Sequence, residues 1–391
     1  MKRISAALLA TLCLFASLGT TQQYQIIVDR DLSPYSGASV MISTYNFCKY
    51  LGDTYIPKPN PQNPLRWLIR TADLGVAYAL NGYLMVTQHE VFGHGYRTRE
   101  FGFNDVGYII GFYTGATYFY LRDYNSLNIY KQNTLNAAGI EANTILSQQI
   151  RAPWFKSKKI NYYDGLSYAI NQLEQLRYVY VTSANEFINN GNDINNYIRG
   201  VNSYYGDTTT LSNSKMQSIV LLNLLDPSLF YSLYGIGAYL YNGRTTTPFY
   251  MLNIYGYKYL PSVATILAPW GPEFQLQNFI ETPQQQLIQA HLRGGSNNNI
   301  TSIGLDVIIS PVWQYKKLLV GNQLSIWRQP NVGAANAASA QLHYGVAEFV
   351  NLEYKIHSKV SLLADLGYKT SGFMQGYLLN SGAIIRLGLQ W

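Results

Sequence analysis

The chain has 391 residues, of which 13% are charged and 14% aromatic, and its formal net charge is +7. The charged share is about half of that in an average globular protein. Because the Lys and Arg residues are dispersed and form no cluster, the composition excludes a nucleic-acid-binding surface of the basic-patch type.

Residues 1–19 have the pattern of a secretory signal peptide. Lys2 and Arg3 precede an apolar run over residues 6–16, which is too short to span a bilayer. Cleavage would lower the net charge to about +5 and leave Cys48 as the only cysteine, so no intramolecular disulfide could form. The sequence therefore predicts an exported protein without disulfides.

A long helix is predicted from about Pro64 to Thr98. Pro64 suits a first helical turn, and the apolar residues that follow recur at helical spacing. They are Leu65, Ile69, Leu74, Ala77, Leu80, Leu84 and Val86.

Near its end this helix carries the most informative motif of the chain, His89-Glu90-Val91-Phe92-Gly93-His94. Imidazole is a preferred ligand of zinc, and a glutamate next to the metal is the usual general base in metallopeptidases. The common signature has histidines four residues apart, whereas here they are five apart. On a regular α-helix this spacing separates the two side chains by about 140°, so a π-bulge is needed to bring them to one metal. Gly93 lies where the extra residue must be absorbed.

The pattern His89-Glu90-x-x-Gly93-His94 resembles the H-E-x-x-G-H helix of the dipeptidyl peptidase III family. The resemblance implies that His89 and His94 bind zinc together with a glutamate from a later helix, and that Glu90 activates water. It is confined to this hexapeptide and one later glutamate, so it implies a chemistry and no substrate class or fold.

Glu141 is our predicted third ligand. It lies in Asn136-Ala137-Ala138-Gly139-Ile140-Glu141-Ala142-Asn143, which is predicted to begin a helix that ends near Gln149 and whose small residues allow close packing on the first helix. Glu100 is the rival candidate for the third ligand. In the alternative interpretation Glu141 is a solvated carboxylate, and the histidines and Glu90 form a structural hydrogen-bonded cluster. An oxyanion donor is not assigned, although Tyr96, Arg97 and Arg99 are near in sequence.

The middle of the chain alternates between ordered and polar segments. Residues 106–121 are predicted to form a β-hairpin, 163–188 a helix, and 189–214 loops around a short helix. Residues 215–241 are strongly apolar but contain Asp226-Pro227, which predicts two packed helices and argues against a membrane span. Residues 259–272, with three prolines, are predicted to join two domains.

From about Glu273 the sequence alternates with a period of two. The clearest strands are Ser302–Ser310, Lys359–Lys369 and a last strand that places Ala383, Ile385, Leu387, Leu389 and Trp391 on one face. Less regular candidates are 274–281, 286–294, 312–328 and 340–355, with turns at Gly294-Gly295-Ser296 and Gln329-Pro330-Asn331, and Gln23–Val28 is a possible further strand. Apolar-alternating strands of about ten residues, low charge and a terminal aromatic are typical of Gram-negative outer-membrane barrels. His291, His343 and His357 lie in strand-like segments far from the motif and are predicted to be surface or barrel-wall residues, not ligands.

These patterns predict an α+β protein with two parts. A mainly helical, zincin-like metallohydrolase domain would cover residues 20–270, and an antiparallel outer-membrane-type β-barrel would cover 271–391. The predicted function is that of an exported zinc metallohydrolase, most simply a peptidase. Its site consists of His89, His94 and Glu141 as Zn²⁺ ligands and Glu90 as general base. The predicted partners are a peptide or protein substrate, outer-membrane lipid and the barrel assembly machinery.

Two other interpretations remain open at this stage. The chain could be a non-enzymatic outer-membrane barrel, such as a pore, adhesin or assembly factor, with a structural metal site. Alternatively, it could be a soluble periplasmic enzyme whose C-terminal half is a β-sandwich.

Overall fold

The computed structural model describes residues 24–55, 65–184, 192–297 and 300–391. The predicted signal peptide therefore lies outside the described residues. The fold is α+β, as predicted, and consists of a set of packed helices and one large antiparallel sheet.

The helices belong to the first two thirds of the chain. They are α1 (Pro34–Tyr55), α2 (Arg66–Thr87), a π-helical turn (Gln88–His94), α3 (Gly95–Glu100), α4 (Leu121–Ser126), α5 (Ile129–Ser157), α6 (Tyr162–Ala184), α7 (Asp193–Tyr205), α8 (Asn213–Val220), a 3₁₀ turn (Leu221–Leu225) and α9 (Pro227–Asn242). A second 3₁₀ turn covers Ala337–Ser339. The predicted helices near 64–98, 136–149 and 163–188 are confirmed by α2, α5 and α6, with α5 longer than expected.

The strands form one ten-stranded sheet and two small antiparallel pairs. The strands are β1 (Gln25–Asp29), β2 (Gly107–Ile110), β3 (Gly115–Tyr118), β4 (Lys159–Asn161), β5 (Thr246–Pro248), β6 (Leu252–Ile254), β7 (Tyr257–Ala268), β8 (Gly271–Glu281), β9 (Leu287–Asn297), β10 (Ile300–Tyr315), β11 (Leu318–Pro330), β12 (Leu342–His357), β13 (Val360–Lys369) and β14 (Gly382–Gln390). The large sheet has the order β1-β14-β13-β12-β11-β10-β9-β8-β7-β6, and β2 pairs with β3 as the predicted hairpin.

The sheet extends beyond the segment in which it was predicted. Residues 259–272, predicted as a junction between domains, form β7 and the start of β8, and the predicted turn at 294–296 lies within β9. The N-terminal strand β1 pairs with β14, from Gln25 opposite Gln390 to Asp29 opposite Arg386. The predicted boundary at residue 270 thus falls inside the sheet. Among the described residues the ladder begins at β1 and ends at β6, and no closed barrel is found.

The two faces of the sheet differ sharply in polarity. On β8 the residues Glu273 and Gln275 are buried, whereas Phe274 and Leu276 are exposed. On β14 Arg386 is buried between exposed leucine and isoleucine side chains. The polar face, called the inner face here, lines a cavity of about 1000 Å³ whose other wall is formed by α1, α5 and α6. The apolar alternation recognised in the sequence therefore belongs to the outer face.

Within the described ranges no single helix is both long and apolar enough to cross a bilayer, although the bent pair Asn213–Leu225 and Pro227–Asn242, with a 65° angle, could do so by length and composition alone.

Candidate metal centre

The motif histidines lie in the π-helical turn, which continues α2 without a break. The N–H of Gly95 donates to the carbonyl of Glu90, five residues earlier, which is the hydrogen bond of a π-helix. A regular α-helix would have pointed His89 and His94 in divergent directions. The distortion that the five-residue spacing requires is therefore present, and it brings the two imidazoles together.

Glycines allow this turn to pack closely on α5. A Cβ added at Gly93 would lie 2.6 Å from the carbonyl oxygen of Ala138, and one added at Gly139 would lie less than 3.0 Å from three ring atoms of His89. Gly93 was expected to absorb the extra residue of the bulge. Gly93 does lie within the π-helical turn, and the approach of α5 leaves no room for a side chain at this position.

Three side chains converge on one point. The Nε2 atoms of His89 and His94 are 3.2 Å apart, and each is 3.1 Å from Oδ2 of Asp193 at the start of α7. The two histidines are buried and Asp193 is partly so. Ligand atoms at about 2.0–2.1 Å around a tetrahedral zinc are separated by roughly 3.3 Å, which is close to the observed spacing. In the described part of the chain no other His, Cys, Asp or Glu joins this group.

The outer nitrogens of both rings also have partners. The Nδ1 of His94 is 2.9 Å from the carbonyl oxygen of Leu135, and the Nδ1 of His89 is 3.3 Å from the amide nitrogen of Asn143. The other amide atom, Oδ1 of Asn143, is buried without a partner. If both Nε2 lone pairs face a metal, both Nδ1 atoms carry protons, and exchanging the two amide atoms of Asn143 then gives each Nδ1–H an acceptor. The polar atoms around the rings thus fit a metal-bound tautomer.

Charge is strongly coupled within the cluster. Burial alone would lower the pKa of His94, but the Asp193 carboxylate raises it to about 9. Burial alone would raise the pKa of Asp193, and His94 and His89 together hold it well below its usual range. The hydroxyl of Tyr178 donates to Oδ2 of Asp193 over 3.2 Å, and burial raises the pKa of this phenol far above its ordinary value. The site therefore holds a carboxylate and a protonated phenol side by side.

Glu90 lies next to the histidines and is held by the β2–β3 hairpin. The hydroxyl of Thr117 donates to Oε2 of Glu90 over 2.7 Å. A Cβ at Gly115 would come within 2.8 Å of both Cγ and Oε1 of Glu90, so this glycine leaves space for the carboxylate. The hairpin thus fixes one oxygen of the predicted base.

Glu141, the predicted third ligand, does not belong to the cluster. Its two oxygens accept hydrogen bonds from Nη2 of Arg97 at 2.9 and 3.1 Å, and one also accepts from the N–H of Gly376. Burial raises the pKa of Glu141, and Arg97 opposes that rise. The rival Glu100 binds the same guanidinium at 2.7 Å. Both carboxylates therefore belong to a buried ion-pair group, and Asp193 takes the position that we had predicted for Glu141.

The remaining candidates have structural partners. Tyr96 is buried, and the guanidinium of Arg99 donates to the backbone carbonyls of Asp31, Leu32 and Val91. The guanidinium of Arg97 also lies over the Tyr96 ring, 5.2 Å from its centroid. The other three histidines lie in the sheet: His291 is buried on the inner face, and His343 and His357 are exposed on β12.

Asp193 gave no recognisable signal in the sequence. It lies in the polar segment 189–214, about a hundred residues after the motif, and the preceding Asn192 indicates only the start of a helix through its capping side chain.

Comparisons with protein-family models, with curated proteins and with solved structures gave no match.

Proposed function

We propose that this chain is a zinc-dependent hydrolase, most simply a peptidase, that is held in the outer membrane by its sheet. The observation that carries the catalytic part is the convergence of His89, His94 and Asp193 beside Glu90, within one distorted helical turn and the helix end that faces it. The assignment of zinc and of peptides as substrates rests on the donor set and on the resemblance of the hexapeptide.

The ligand number supports a catalytic site over a structural one. Structural zinc sites are closed by four protein ligands, whereas catalytic sites use three and keep one position open. The described residues offer three. A two-histidine, one-carboxylate set is also the composition found in zinc peptidases.

Each side chain has a definable task. Zinc held at this centre would supply Lewis acidity, which polarises a substrate carbonyl and makes water a stronger acid. Glu90 accepts a proton from the attacking water and passes it to the leaving group. Thr117 orients Glu90 through one oxygen and leaves the other for this exchange. Leu135 and Asn143 orient the two imidazoles, and Tyr178 orients Asp193.

The outer-membrane part of the proposal rests on the polarity of the sheet. Glu273, Gln275 and Arg386 point inward, while the outward positions of the same strands are leucine, isoleucine and phenylalanine. A sheet in water buries its apolar face, whereas a lipid-embedded sheet exposes it. The strands of 9–16 residues are long enough for the hydrocarbon core. This is the pattern expected for contact with outer-membrane lipid after insertion by the barrel assembly machinery.

Metal content tests the site itself. We expect about one zinc per chain, by elemental mass spectrometry, in the purified mature protein. His94→Ala and Asp193→Ala should lose most of it, while Glu141→Gln should retain it, because Glu141 binds Arg97 and lies outside the cluster. Zinc loss in Glu141→Gln but retention in Asp193→Ala would contradict the ligand assignment. Absence of zinc in the parent protein after loading would remove the catalytic proposal.

Turnover of a quenched fluorescent peptide library tests the reaction. Glu90→Gln should bind zinc like the parent but lose turnover by several orders of magnitude, since the amide cannot accept the proton. Retention of most activity in Glu90→Gln would contradict its role as general base. Membrane fractionation tests the location separately: recovery of the protein in the soluble periplasmic fraction would favour a soluble enzyme.

A further inference from the structure

Helix α2 has the reverse of the polarity expected for a helix in water. Its two charged residues after Arg66, Arg70 and Asp73, are both buried. From Trp67 onward its exposed positions are apolar or small and include Trp67, Val76 and Tyr83. Helices on the surface of soluble proteins show the opposite arrangement, with the charged residues facing water.

The buried charged residues of α2 bind groups on other helices. Asp73 accepts hydrogen bonds from the hydroxyls of Tyr162, Tyr163 and Tyr239, at 2.6, 2.8 and 2.7 Å. Arg70 donates to the carbonyls of Leu240 and Tyr241, at 3.2 Å each, and so binds the C-terminal end of α9. These bonds fix which face of α2 points outward.

Helix α9 repeats this inverted pattern. It contains no charged residue, and its buried positions include Ser228, Ser232 and Tyr239. Its exposed positions include Phe230, Leu233 and Tyr241. Two adjacent helices thus present apolar faces outward and polar faces inward, as the sheet does.

The chain also contains a helix of the ordinary kind. On α7 the residues Ile194, Tyr197 and Val201 are buried, and Arg199 is exposed. The inversion is therefore a property of particular surfaces and does not follow from the overall composition.

The inverted helices lie between the two edges of the sheet. Strand β7 packs on the 3₁₀ turn Leu221–Leu225 and on α9, α9 packs on α2, α2 on α1, and α1 on β1. This succession of contacts joins strands near the two ends of the strand order.

We propose that the outer faces of α2 and α9 contact the hydrocarbon of the bilayer, so that helices and sheet together form one lipid-facing wall. A docked protein would cover the exposed apolar residues on one side of the molecule only. Here the exposed apolar residues extend over the sheet and over α2 and α9. A medium that surrounds the molecule accounts for all of them. The absence of exposed charge on both helices after Arg66, with their charged and polar residues turned inward, is the arrangement that hydrocarbon requires. The inference rests on the membrane part of the proposed function and extends it from the sheet to the helices.

Lipid quenching tests this directly in the full mature chain. Single cysteines would be placed in a Cys48→Ser background at Val76 on α2 and Leu233 on α9, and labelled with bimane. Leu387→Cys on the outer face of β14 is the matched sheet position, and Arg199→Cys on α7 is the aqueous control. Each protein is reconstituted in phosphatidylcholine and phosphatidylglycerol vesicles, with and without acyl-chain-brominated phosphatidylcholine.

We expect brominated lipid to reduce the fluorescence at positions 76 and 233 to the same extent as at 387, with no loss at 199. If only position 387 is quenched, the sheet is in lipid and the helices are not, which overturns the inference but leaves the membrane proposal intact. If none of the positions is quenched, the membrane proposal itself fails, and this inference fails with it.

Discussion

Replacing Gly139 by alanine should weaken zinc binding with little change in the chemistry of the site. The added Cβ would lie less than 3.0 Å from Nε2, Cδ2 and Cε1 of His89, whereas favourable contacts need about 3.5 Å or more. The ring must therefore move by on the order of 1 Å. Metal–ligand distances tolerate only about 0.2 Å, so His89 would no longer reach the position shared with His94 and Asp193. We expect zinc affinity to fall by about 100-fold, the upper end of the cost of disturbing residues that orient ligands.

Competition with a fluorescent zinc chelator measures this affinity in the detergent-solubilised chain, and near-ultraviolet circular dichroism confirms that the variant is folded. Gly75→Ala is the matched control, since it changes a glycine of α2 that has no atom within 4 Å of the added carbon. This control should keep the affinity of the parent. A folded Gly139→Ala protein that binds zinc within about twofold of the parent (a difference below RT) would refute the proposed packing of His89 on α5.

Three further outcomes are expected. Arg97→Met should lower the free energy of unfolding by about 3–5 kcal/mol, because it leaves Glu141 buried without its main partner. Elemental analysis should still find the parent's zinc content, and zinc loss in this variant would show that the ion pair supports the site. Chelation should lower the melting temperature in scanning calorimetry, since zinc at 100 times its Kd stabilises the folded state by about 2.7 kcal/mol; an unchanged melting temperature would argue against a bound metal. Thr117→Val should keep zinc and reduce kcat by roughly tenfold or more, because Glu90 loses a hydrogen bond worth about 1.5–3 kcal/mol. The control Thr117→Ser should retain activity, and equal activity of the two variants would exclude an orienting role for Thr117.

The fold was predictable where the pattern is local. Period-3.6 spacing located α2, α5 and α6, and period-2 spacing located most strands after Glu273. The pairing of β1 with β14 could not be found in this way, because the two strands are separated by almost the whole chain. Residues 259–272 were misassigned because their prolines suggested a linker. In the structure Pro261 lies within β7, next to the short strand β6 at the margin of the sheet, where proline is tolerated.

In the candidate site, too, the residues that are close together in sequence were predictable and the distant one was not. His89, Glu90 and His94 are close in sequence, and the assumption that both histidines bind one metal predicted the π-helical turn that the structure contains. Asp193 comes from a distant polar segment in which many other residues could bind a metal equally well. No local pattern separates it from those residues, so only the packing of α7 against the motif reveals it.

The misassignment of Glu141 has a geometric cause on α5. The helix itself was predicted correctly, and its small residues do pack against the π-helical turn. Gly139 lies directly against His89, and Asn143, four residues later and about 40° around the helix, also reaches that ring. Glu141 is two residues from Gly139, or about 200° around the helix, so its side chain must point away from the metal centre and toward Arg97. Once Gly139 is recognised as the contact residue, helical geometry places Glu141 away from His89, and the carboxylate beside the two histidines is that of Asp193 on α7.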